Sequence, residues 1–247
     1  MRVLSVAVLV FLSTIGAAQS AVPWSYQGKS GPLSWGKLSP AYSACSDGRE
    51  QSPIDIRGAH RNKALQPIEF HYLAGSVTLK NTGSTIEVQV HPGSYIVAGG
   101  TRYALESFTF HHPSEHAVKG RLTDMEVQLI HRSSEGKLAI VVSRLVENRD
   151  APNATLAALW EHLPFTPGTT ASDEDMINPG GLLPGDRGYW TYMGSLTTPP
   201  CTEGVRWFVM EQPVTVSTDQ LKVFSSLFRI NSRPLQDARD RTIEGNQ

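Results

Sequence analysis

Short runs of alternating or β-branched residues, each bounded by Gly, Asn or Pro, indicate that this chain folds mainly into β-strands. The runs lie at 68–73, 77–80, 85–90, 108–111, 125–131, 138–145 and 205–210. Two other stretches, 155–163 and 217–228, have the apolar spacing of a helix, and Ser217 and Gln220 are spaced for a capping box at the start of the second. The pattern predicts a large sheet with a few peripheral helices.

The composition is that of one globular domain. Charged residues make up 18% of the 247-residue chain, below the roughly 25% of an average domain, while Gly (21) and Pro (16) are plentiful. No repeat, low-complexity tract or charge block divides the sequence after residue 20. A net charge of −1 creates no field that would attract nucleic acid, so we expect no nucleic-acid partner.

The N-terminal segment has the layout of a secretory signal peptide. Arg2 precedes an apolar run at 3–15, and the small residues Ala18 and Ser20 stand at the −3 and −1 positions of a cleavage site. The run is shorter than the roughly 20 residues that span a bilayer. We therefore expect residues 1–20 to be removed, and residues 21–247 to form one secreted or periplasmic domain without a membrane span.

The two cysteines, Cys45 and Cys201, both remain after that cleavage. Two thiols exported to an oxidising compartment are more often paired than free, so we expect a structural disulfide. Closing a loop of this length is worth on the order of 5 kcal/mol in the chain-entropy model. A redox-active pair would need a short spacing such as CxxC, which the sequence lacks.

Several blocks together resemble the α-class carbonic anhydrases, especially the secreted bacterial type. The blocks are Trp24-Ser25-Tyr26, 31–35, 51–56, 108–116, 125–131 and 189–207, the last with a Gly-Ser-Leu-Thr-Thr-Pro-Pro-Cys-Thr-Glu-Gly segment. They occur in the family's order over nearly the whole chain after residue 20. The resemblance implies a single α+β domain around a large, mainly antiparallel, twisted ten-stranded sheet, and it also implies pairing of Cys45 with Cys201.

The resemblance implies a zinc site on two neighbouring strands, and the sequence departs from it there. In the family, three His side chains hold Zn²⁺ and a water whose pKa falls to about 7, so that hydroxide attacks CO₂ at neutral pH. The matching positions here are Thr109, His111 and Gln128. A hydroxyl and a carboxamide are poor zinc ligands. We expect no cofactor at full occupancy, and zinc only if an atypical ligand set forms.

Three other histidines are candidates to replace the missing ligands. His112 follows His111 along the strand and therefore points to the opposite face. His131 lies three residues beyond Gln128, which again gives the wrong parity. His116 matches a family histidine with a structural role. We expect all three to be packed or surface histidines.

Two carboxylates near the same positions have their own expected roles. Glu126 lies two residues before Gln128 on the same face, where the family uses a carboxylate to orient the third ligand. It can hydrogen-bond Gln128 or serve as a makeshift ligand. Glu87 matches a position that lines the cleft, so His111 with Glu87 or Glu126 is an alternative ligand set.

The remaining site positions are partly retained. Ser84 occupies the position of the family's proton-shuttling His, and a hydroxyl cannot buffer at pH 7. By resemblance, Thr197 donates to Glu115 and orients the zinc hydroxide. The residues that match the apolar wall and the polar cleft are Ile130, Ile140, Leu196, Val205, Trp207, Tyr26 and Thr198.

The leading hypothesis is a secreted carbonic-anhydrase-like protein in which CO₂ hydration is lost or reduced to a trace, and the cleft or surface serves binding. The expected cleft ligand is CO₂, bicarbonate or another small anion, and any protein partner is unknown. The alternative is an active carbonic anhydrase that uses zinc or another metal in an atypical ligand set. A third possibility is a structural or partner-binding domain with no small-molecule site.

Overall fold

The computed structural model describes residues 22–247, so the expected signal peptide at 1–20 lies outside the described residues. The four α-helices in the described part are α1 (Trp35–Leu38), α2 (Ala44–Asp47), α3 (Ala154–Glu161) and α4 (Thr218–Leu227). The strands of the same part are β1 (Asp55–Ile56), β2 (His60–Arg61), β3 (Glu69–His71), β4 (Gly75–Asn81), β5 (Ile86–Val90), β6 (Tyr95–Ala98), β7 (Thr101–His111), β8 (Ala117–Val118), β9 (Met125–Ser133), β10 (Leu138–Glu147), β11 (Thr170–Ile177), β12 (Tyr189–Ser195), β13 (Glu203–Met210), β14 (Val214–Val216) and β15 (Glu244–Gly245).

One large sheet organises the domain. Its main path runs β11-β4-β5-β7-β9-β10-β13-β12-β15-β2, while β3, β6 and β14 attach beside it and β1 pairs with β8 separately. Most neighbours are antiparallel, and the exceptions within this sheet are the parallel pairs β10–β13, β10–β14 and β15–β2. The expected α+β domain with a large, mainly antiparallel sheet and few helices is confirmed, although the sheet of the described residues has 13 strands rather than the ten that the resemblance implies.

All seven alternating runs of the sequence fall on strands, and both helical stretches contain helices. Helix α4 begins with the predicted capping box: Ser217 Oγ accepts from the backbone N–H of Gln220 at 3.2 Å, and the Gln220 side chain accepts from the backbone N–H of Ser217 at 3.1 Å. These contacts satisfy two donors that the first helical turn leaves unpaired.

Strands β7 and β9 separate the main core from a cleft because alternate residues face opposite sides. On one face, Phe108, Phe110, Val127 and Leu129 are fully buried in the larger hydrophobic cluster, which α3 and α4 cover. The residues between them on each strand point to the other face. The period of two therefore brings the candidate metal positions together on the cleft side of the sheet.

The expected disulfide joins Cys45 at the start of α2 to Cys201, which follows the turn after β12. The bond spans 156 residues of sequence and ties the N-terminal segment to the 196–202 segment beside the cleft. Trp35 and Tyr42 are buried around it, and Trp24 and Tyr26 pack against them. The bond thus fixes one rim of the cleft. Among residues 22–247, no helix is both long and apolar enough to cross a membrane.

Candidate functional site

The cleft contains a cavity of about 250 Å³ that collects most of the predicted site residues. Strands β5, β7 and β9 form its floor, and the segment after β12 forms one wall. The predicted residues that line it are Ser84, Thr109, His111, Gln128, Ile130, Ile140, Leu196, Thr197 and Thr198, and the further lining residues are Trp24, Thr82, Thr85 and Glu87. The structure therefore brings the expected metal positions, the expected shuttle position and much of the expected apolar wall together in one cavity.

Three of the predicted pocket residues lie outside this lining. Val205 and Trp207 are buried in the second hydrophobic cluster with Ile140, one layer behind the cavity wall. Trp207 is anchored there by its indole N–H, which donates to the backbone oxygen of Ser195 at 3.1 Å. Tyr26 lines a neighbouring depression instead, and burial raises the pKa of its hydroxyl. These residues support the cavity rather than form its surface.

The tautomer of His111 follows from its partner on the far side of the ring. Nδ1 lies 2.8 Å from the backbone oxygen of Asn231, and a carbonyl only accepts, so Nδ1 carries the proton and donates. In the neutral ring, Nε2 therefore presents a lone pair, 3.4 Å from Oγ1 of Thr109. Asn231 also holds the strand end, since its side-chain oxygen accepts from the backbone N–H of His112 at 2.7 Å. His111 is the one competent nitrogen ligand among the three expected positions.

Gln128 is engaged by carboxylates on the side away from the cavity. Its Nε2 donates to Oε2 of Glu115 at 2.7 Å and to Oε1 of Glu126 at 2.9 Å. Because carboxylates only accept, this contact fixes the orientation of the amide and leaves Oε1 of Gln128 for the cavity side. All three side chains are nearly or fully buried. The predicted hydrogen bond between Glu126 and Gln128 is present.

Behind Gln128 a buried polar chain continues through Glu126 and His116. The backbone N–H and Nδ1 of His116 lie 2.8 and 2.9 Å from the two oxygens of Glu126. On its other side, Nε2 of His116 lies 2.6 Å from the hydroxyl of Tyr192, which is 3.0 Å from Oγ of Ser52. Burial alone would raise the pKa of Glu126, but the charge and hydrogen bonds of His116 and the Gln128 amide outweigh it and lower that pKa. His116 is structural, as expected.

Glu115 is held differently from what the resemblance implied. Its Oε1 accepts from the backbone N–H of Arg233 at 2.8 Å, and its Oε2 accepts from Gln128. Among the hydrogen bonds of residues 22–247, the expected donation from Thr197 to Glu115 is not formed, and Gln128 and Arg233 are the donors to this carboxylate instead. Burial lowers the pKa of the Arg233 guanidinium to about 10, and the charge of Glu115 opposes that shift.

The other two histidines do not replace the missing ligands. His112 turns to the opposite face, where its Nδ1 lies 2.9 Å from the backbone oxygen of Arg229. His131 is fully buried, and its Nε2 lies 2.8 Å from the hydroxyl of Tyr72. Among the side chains of residues 22–172 and 176–247, no three His, Cys, Asp or Glu are grouped so that they could hold a metal ion. Neither histidine belongs to the lining of the cavity.

The residues at the expected metal position do not fit a three-histidine zinc ion. They offer one imidazole nitrogen from His111, one hydroxyl from Thr109 and one amide oxygen from Gln128, whereas zinc in proteins takes mainly nitrogen and sulfur ligands. The amide is also committed to two carboxylates through its nitrogen. Ser84, at the shuttle position, lies 3.0 Å from Oγ1 of Thr82, and neither hydroxyl titrates near neutrality.

Sequence reasoning missed four residues that shape this site. Trp24, Thr82 and Thr85 line the cavity, although only Trp24 belongs to a block that carried the resemblance. Asn231, from the irregular segment after α4, fixes the ring of His111. Nothing in the local pattern around Asn231 indicates that role, because the contact joins positions 120 residues apart.

Comparisons with known proteins agree with this fold. The family model described as eukaryotic-type carbonic anhydrase matches residues 30–247. A carbonic anhydrase of Nostoc sp. is 40% identical over 235 residues, covering 93% of this chain and 88% of the relative. The solved α-carbonic anhydrase of Thermovibrio ammonificans, in complex with the inhibitor sulfanilamide, superposes with a TM-score of 0.88 at 37% identity and covers 91% of this chain and 100% of that one.

A third similar protein is a dioscorin, whose crystal structure was solved in complex with ascorbate. It superposes with a TM-score of 0.83 at 30% identity, and the match covers 90% of this chain and 97% of the dioscorin chain.

Proposed function

The chain belongs to the family of eukaryotic-type carbonic anhydrases, and we propose that its cleft has lost CO₂ hydration, or keeps only a trace, and serves to bind a small ligand. The observation that carries the proposal is the state of Gln128. Its amide satisfies the two buried carboxylates Glu115 and Glu126, so the third ligand position has become part of a closed hydrogen-bond network.

The energetic argument concerns the nucleophile. A zinc-bound water has a pKa near 7, whereas bulk water has 15.7, a difference of about 8.7 units or roughly 12 kcal/mol at 1.36 kcal/mol per unit. With one imidazole at the metal position, no side chain of the cavity offsets that difference. The hydroxyls of Thr109 and Ser84 cannot act as bases near neutrality.

A binding role is supported by what the cleft retains. A cavity of about 250 Å³ persists with apolar walls from Ile130, Ile140 and Leu196 and a polar floor. Ligand sites are typically concave and mainly apolar with a few placed polar groups. The dioscorin solved with ascorbate is an example of this fold with a small organic ligand.

Stopped-flow CO₂ hydration and elemental analysis together test the proposal. We expect the protein, purified from its exported form and then supplied with zinc, to hold far less than one metal ion per chain and to hydrate CO₂ near the uncatalysed rate. The carbonic anhydrase of Nostoc sp., treated identically, is the matched control. A rate comparable to that control would overturn the proposal.

A second candidate function is hydration by a metal in an atypical ligand set. The observation in its favour is the contact of Nδ1 of His111 with the backbone oxygen of Asn231, because metal-binding imidazoles are commonly oriented by such a partner. Glu87 lines the same cavity and offers a carboxylate. Elemental analysis of the native protein separates the two functions, since a metal-free protein excludes this one.

The proposal includes export to the periplasm or the medium. The Cys45–Cys201 disulfide and the bacterial carbonic anhydrase relative support it, because disulfides persist in oxidising compartments. N-terminal sequencing of the protein from an osmotic-shock fraction and from the medium tests this part. The expected first residue is Ala21.

A further inference from the structure

Strands β5, β7 and β9 bring Glu87, Thr109 and Gln128 into one row across the sheet. Glu87 lies opposite Thr109, and Thr109 lies opposite Gln128. Directly opposed residues of antiparallel strands have Cβ atoms about 4.5–5.5 Å apart and side chains on one face. Thr109 is the shortest of the three, so the row has a gap at its centre, flanked by a carboxylate and an amide. All three residues line the cavity.

The polar atoms around this gap are predominantly hydrogen-bond acceptors. Nε2 of His111 presents a lone pair, because Nδ1 carries the proton that Asn231 accepts. Oε1 of Gln128 is the free end of an amide whose nitrogen already donates twice. Glu87 adds two carboxylate oxygens, and the hydroxyl of Thr109 donates or accepts. A ligand that satisfies this set must bring N–H or O–H donors.

Glu87 is the one carboxylate among the lining residues of the cavity, and no Lys or Arg is among them. Lys80 lies opposite Glu87 on β4 but does not line the cavity. Among the side chains that the structure describes, Glu87 has no ion-pair or hydrogen-bond partner. The two carboxylates behind the floor differ in this respect. Glu115 interacts electrostatically with Arg233, and Glu126 with His116. The charge that a ligand meets is therefore that of Glu87.

The walls and the mouth set the size and shape of the ligand. The cavity has room for about eight water volumes of roughly 30 Å³ each. Ile130, Ile140 and Leu196 provide an apolar wall for a short hydrocarbon group, and Trp24 adds an aromatic ring, a type of group that attracts cations through its face.

We propose that the cavity binds a small organic cation, a primary ammonium with a short apolar body, whose N–H groups occupy the gap at Thr109 between Glu87 and Gln128. The inference rests on the proposed function, because it takes the metal face to be free for an organic ligand. An anion, the ligand expected from the sequence, meets no side-chain cation in this lining.

Three probes of similar size test the charge preference: butylamine, 1-butanol and butyrate. Butylamine is protonated at pH 7. Binding to the mature protein is measured by NMR shift titration in the presence of a chelator, and bicarbonate serves as a second anion. We expect butylammonium to bind at least about tenfold more tightly than butanol, and the two anions to bind more weakly than butanol.

Glu87→Gln keeps the shape of the side chain and removes its charge. We expect this variant to weaken butylammonium binding about tenfold or more and to leave butanol binding unchanged. Glu161→Gln, at an exposed position at the end of α3, is the matched control and should change neither affinity. Thr109→His fills the gap and should weaken the binding of both probes, which provides a second test that does not depend on charge.

Three outcomes would overturn the inference: tighter binding of butyrate or bicarbonate than of butylammonium, no binding of any probe, or butylammonium binding that is insensitive to Glu87→Gln. Zinc content and CO₂ hydration are measured on the same preparation without chelator. A zinc-loaded, active protein would refute the proposed function, whereas a metal-free, inactive protein that does not prefer butylammonium would refute the cation site alone.

Discussion

The two faces of strand β9 are stabilised by different interactions. On the core face, Met125, Val127 and Leu129 are fully buried among apolar side chains, and His131 continues that face. On the cleft face, Glu126 and Gln128 are equally buried but are held by hydrogen bonds. The core face is stabilised mainly by burial of apolar surface, and the cleft face by hydrogen bonds between its buried polar side chains.

The difference explains how the metal position could change without loss of the fold. On the core face, a polar substitution at Val127 or Leu129 would place a polar group among apolar side chains. On the cleft face, the nitrogen of Gln128 finds two acceptors, Glu115 and Glu126, within 2.9 Å. A neutral amide at the expected third ligand position therefore keeps the two buried carboxylates satisfied. The comparison leads to four predictions, which concern first the cleft face, then the core face, and then the cleft face again.

The largest expected effect comes from restoring both missing imidazoles on the cleft face. Thr109→His combined with Gln128→His should raise zinc affinity by many powers of ten, since even the loss of a ligand's hydrogen-bond partner changes metal affinity 10–100-fold. Elemental analysis should give close to one zinc per chain, with an increase in Tm on zinc addition. CO₂ hydration should appear but remain slow, because Ser84 cannot relay protons.

The single variant Thr109→His is the matched control for that experiment, because it supplies only one of the two nitrogens. We expect it to hold zinc far more weakly than the double variant. If the unmodified protein already binds one zinc per chain, the contrast between the faces is wrong, because Gln128 would then be compatible with a metal site.

The sequence predicted the core face better than the cleft face, for a physical reason. Apolar alternation at 125–131 fixes which residues enter the core, because one face of a strand is buried as a whole. The same period placed Thr109, His111 and Gln128 on one side. Strand β12 was not among the alternating runs, since Tyr189–Ser195 mixes Gly and hydroxyl residues with aromatic ones.

The partners of the cleft residues could not be predicted from local pattern. Glu115 receives its two hydrogen bonds from Gln128, 13 residues away, and from Arg233, 118 residues away. Resemblance supplied Thr197 as the donor instead, because it carried over an arrangement in which the position of Gln128 is a metal ligand. Three-dimensional proximity decides such pairings, and a single substitution can exchange one partner for another.

The next effect concerns His131 on the core face. Burial lowers its pKa to about 3 from the ordinary 6.5, so below pH 6.5 the unfolded chain binds a proton that the folded chain does not. Stability should therefore fall with decreasing pH at about 1.4 kcal/mol per unit from this group, on the order of 4 kcal/mol between pH 6.5 and 3. Denaturant unfolding at several pH values measures the slope.

His131→Gln removes the titrating ring but retains a polar end for the hydroxyl of Tyr72. Below pH 6.5, we expect the unfolding free energy of this variant to fall less steeply with decreasing pH than that of the unmodified protein. The difference should be about 1.4 kcal/mol per pH unit, which corresponds to one bound proton. His60→Gln, at an exposed position on β2, is the control and should leave the slope unchanged. Equal slopes for all three proteins would contradict the burial argument.

A smaller effect is expected from Gln128→Leu on the cleft face. The substitution removes the N–H donor to Glu115 and Glu126 and introduces an apolar side chain of similar volume. Hydrogen bonds to charged groups contribute about 1.5–3 kcal/mol, so the free energy of unfolding should drop by roughly 3 kcal/mol. Gln89→Leu, at an exposed position on β5, is the control and should change it by less than about 0.5 kcal/mol. A neutral Gln128→Leu variant would mean that the carboxylates are satisfied without the amide.

The smallest effect is expected from Thr109→Val, which replaces a hydroxyl with a methyl group at the centre of the cleft floor. The hydroxyl of Thr109 lies 3.4 Å from Nε2 of His111, at the long limit of a hydrogen bond, and it faces a cavity rather than a packed core. Chemical denaturation should therefore show a change below about 1 kcal/mol. A loss comparable to that of Gln128→Leu would instead assign Thr109 to the structural network. A small loss would separate the two expected ligand positions: Gln128 would then support the fold, and Thr109 would leave space for a ligand.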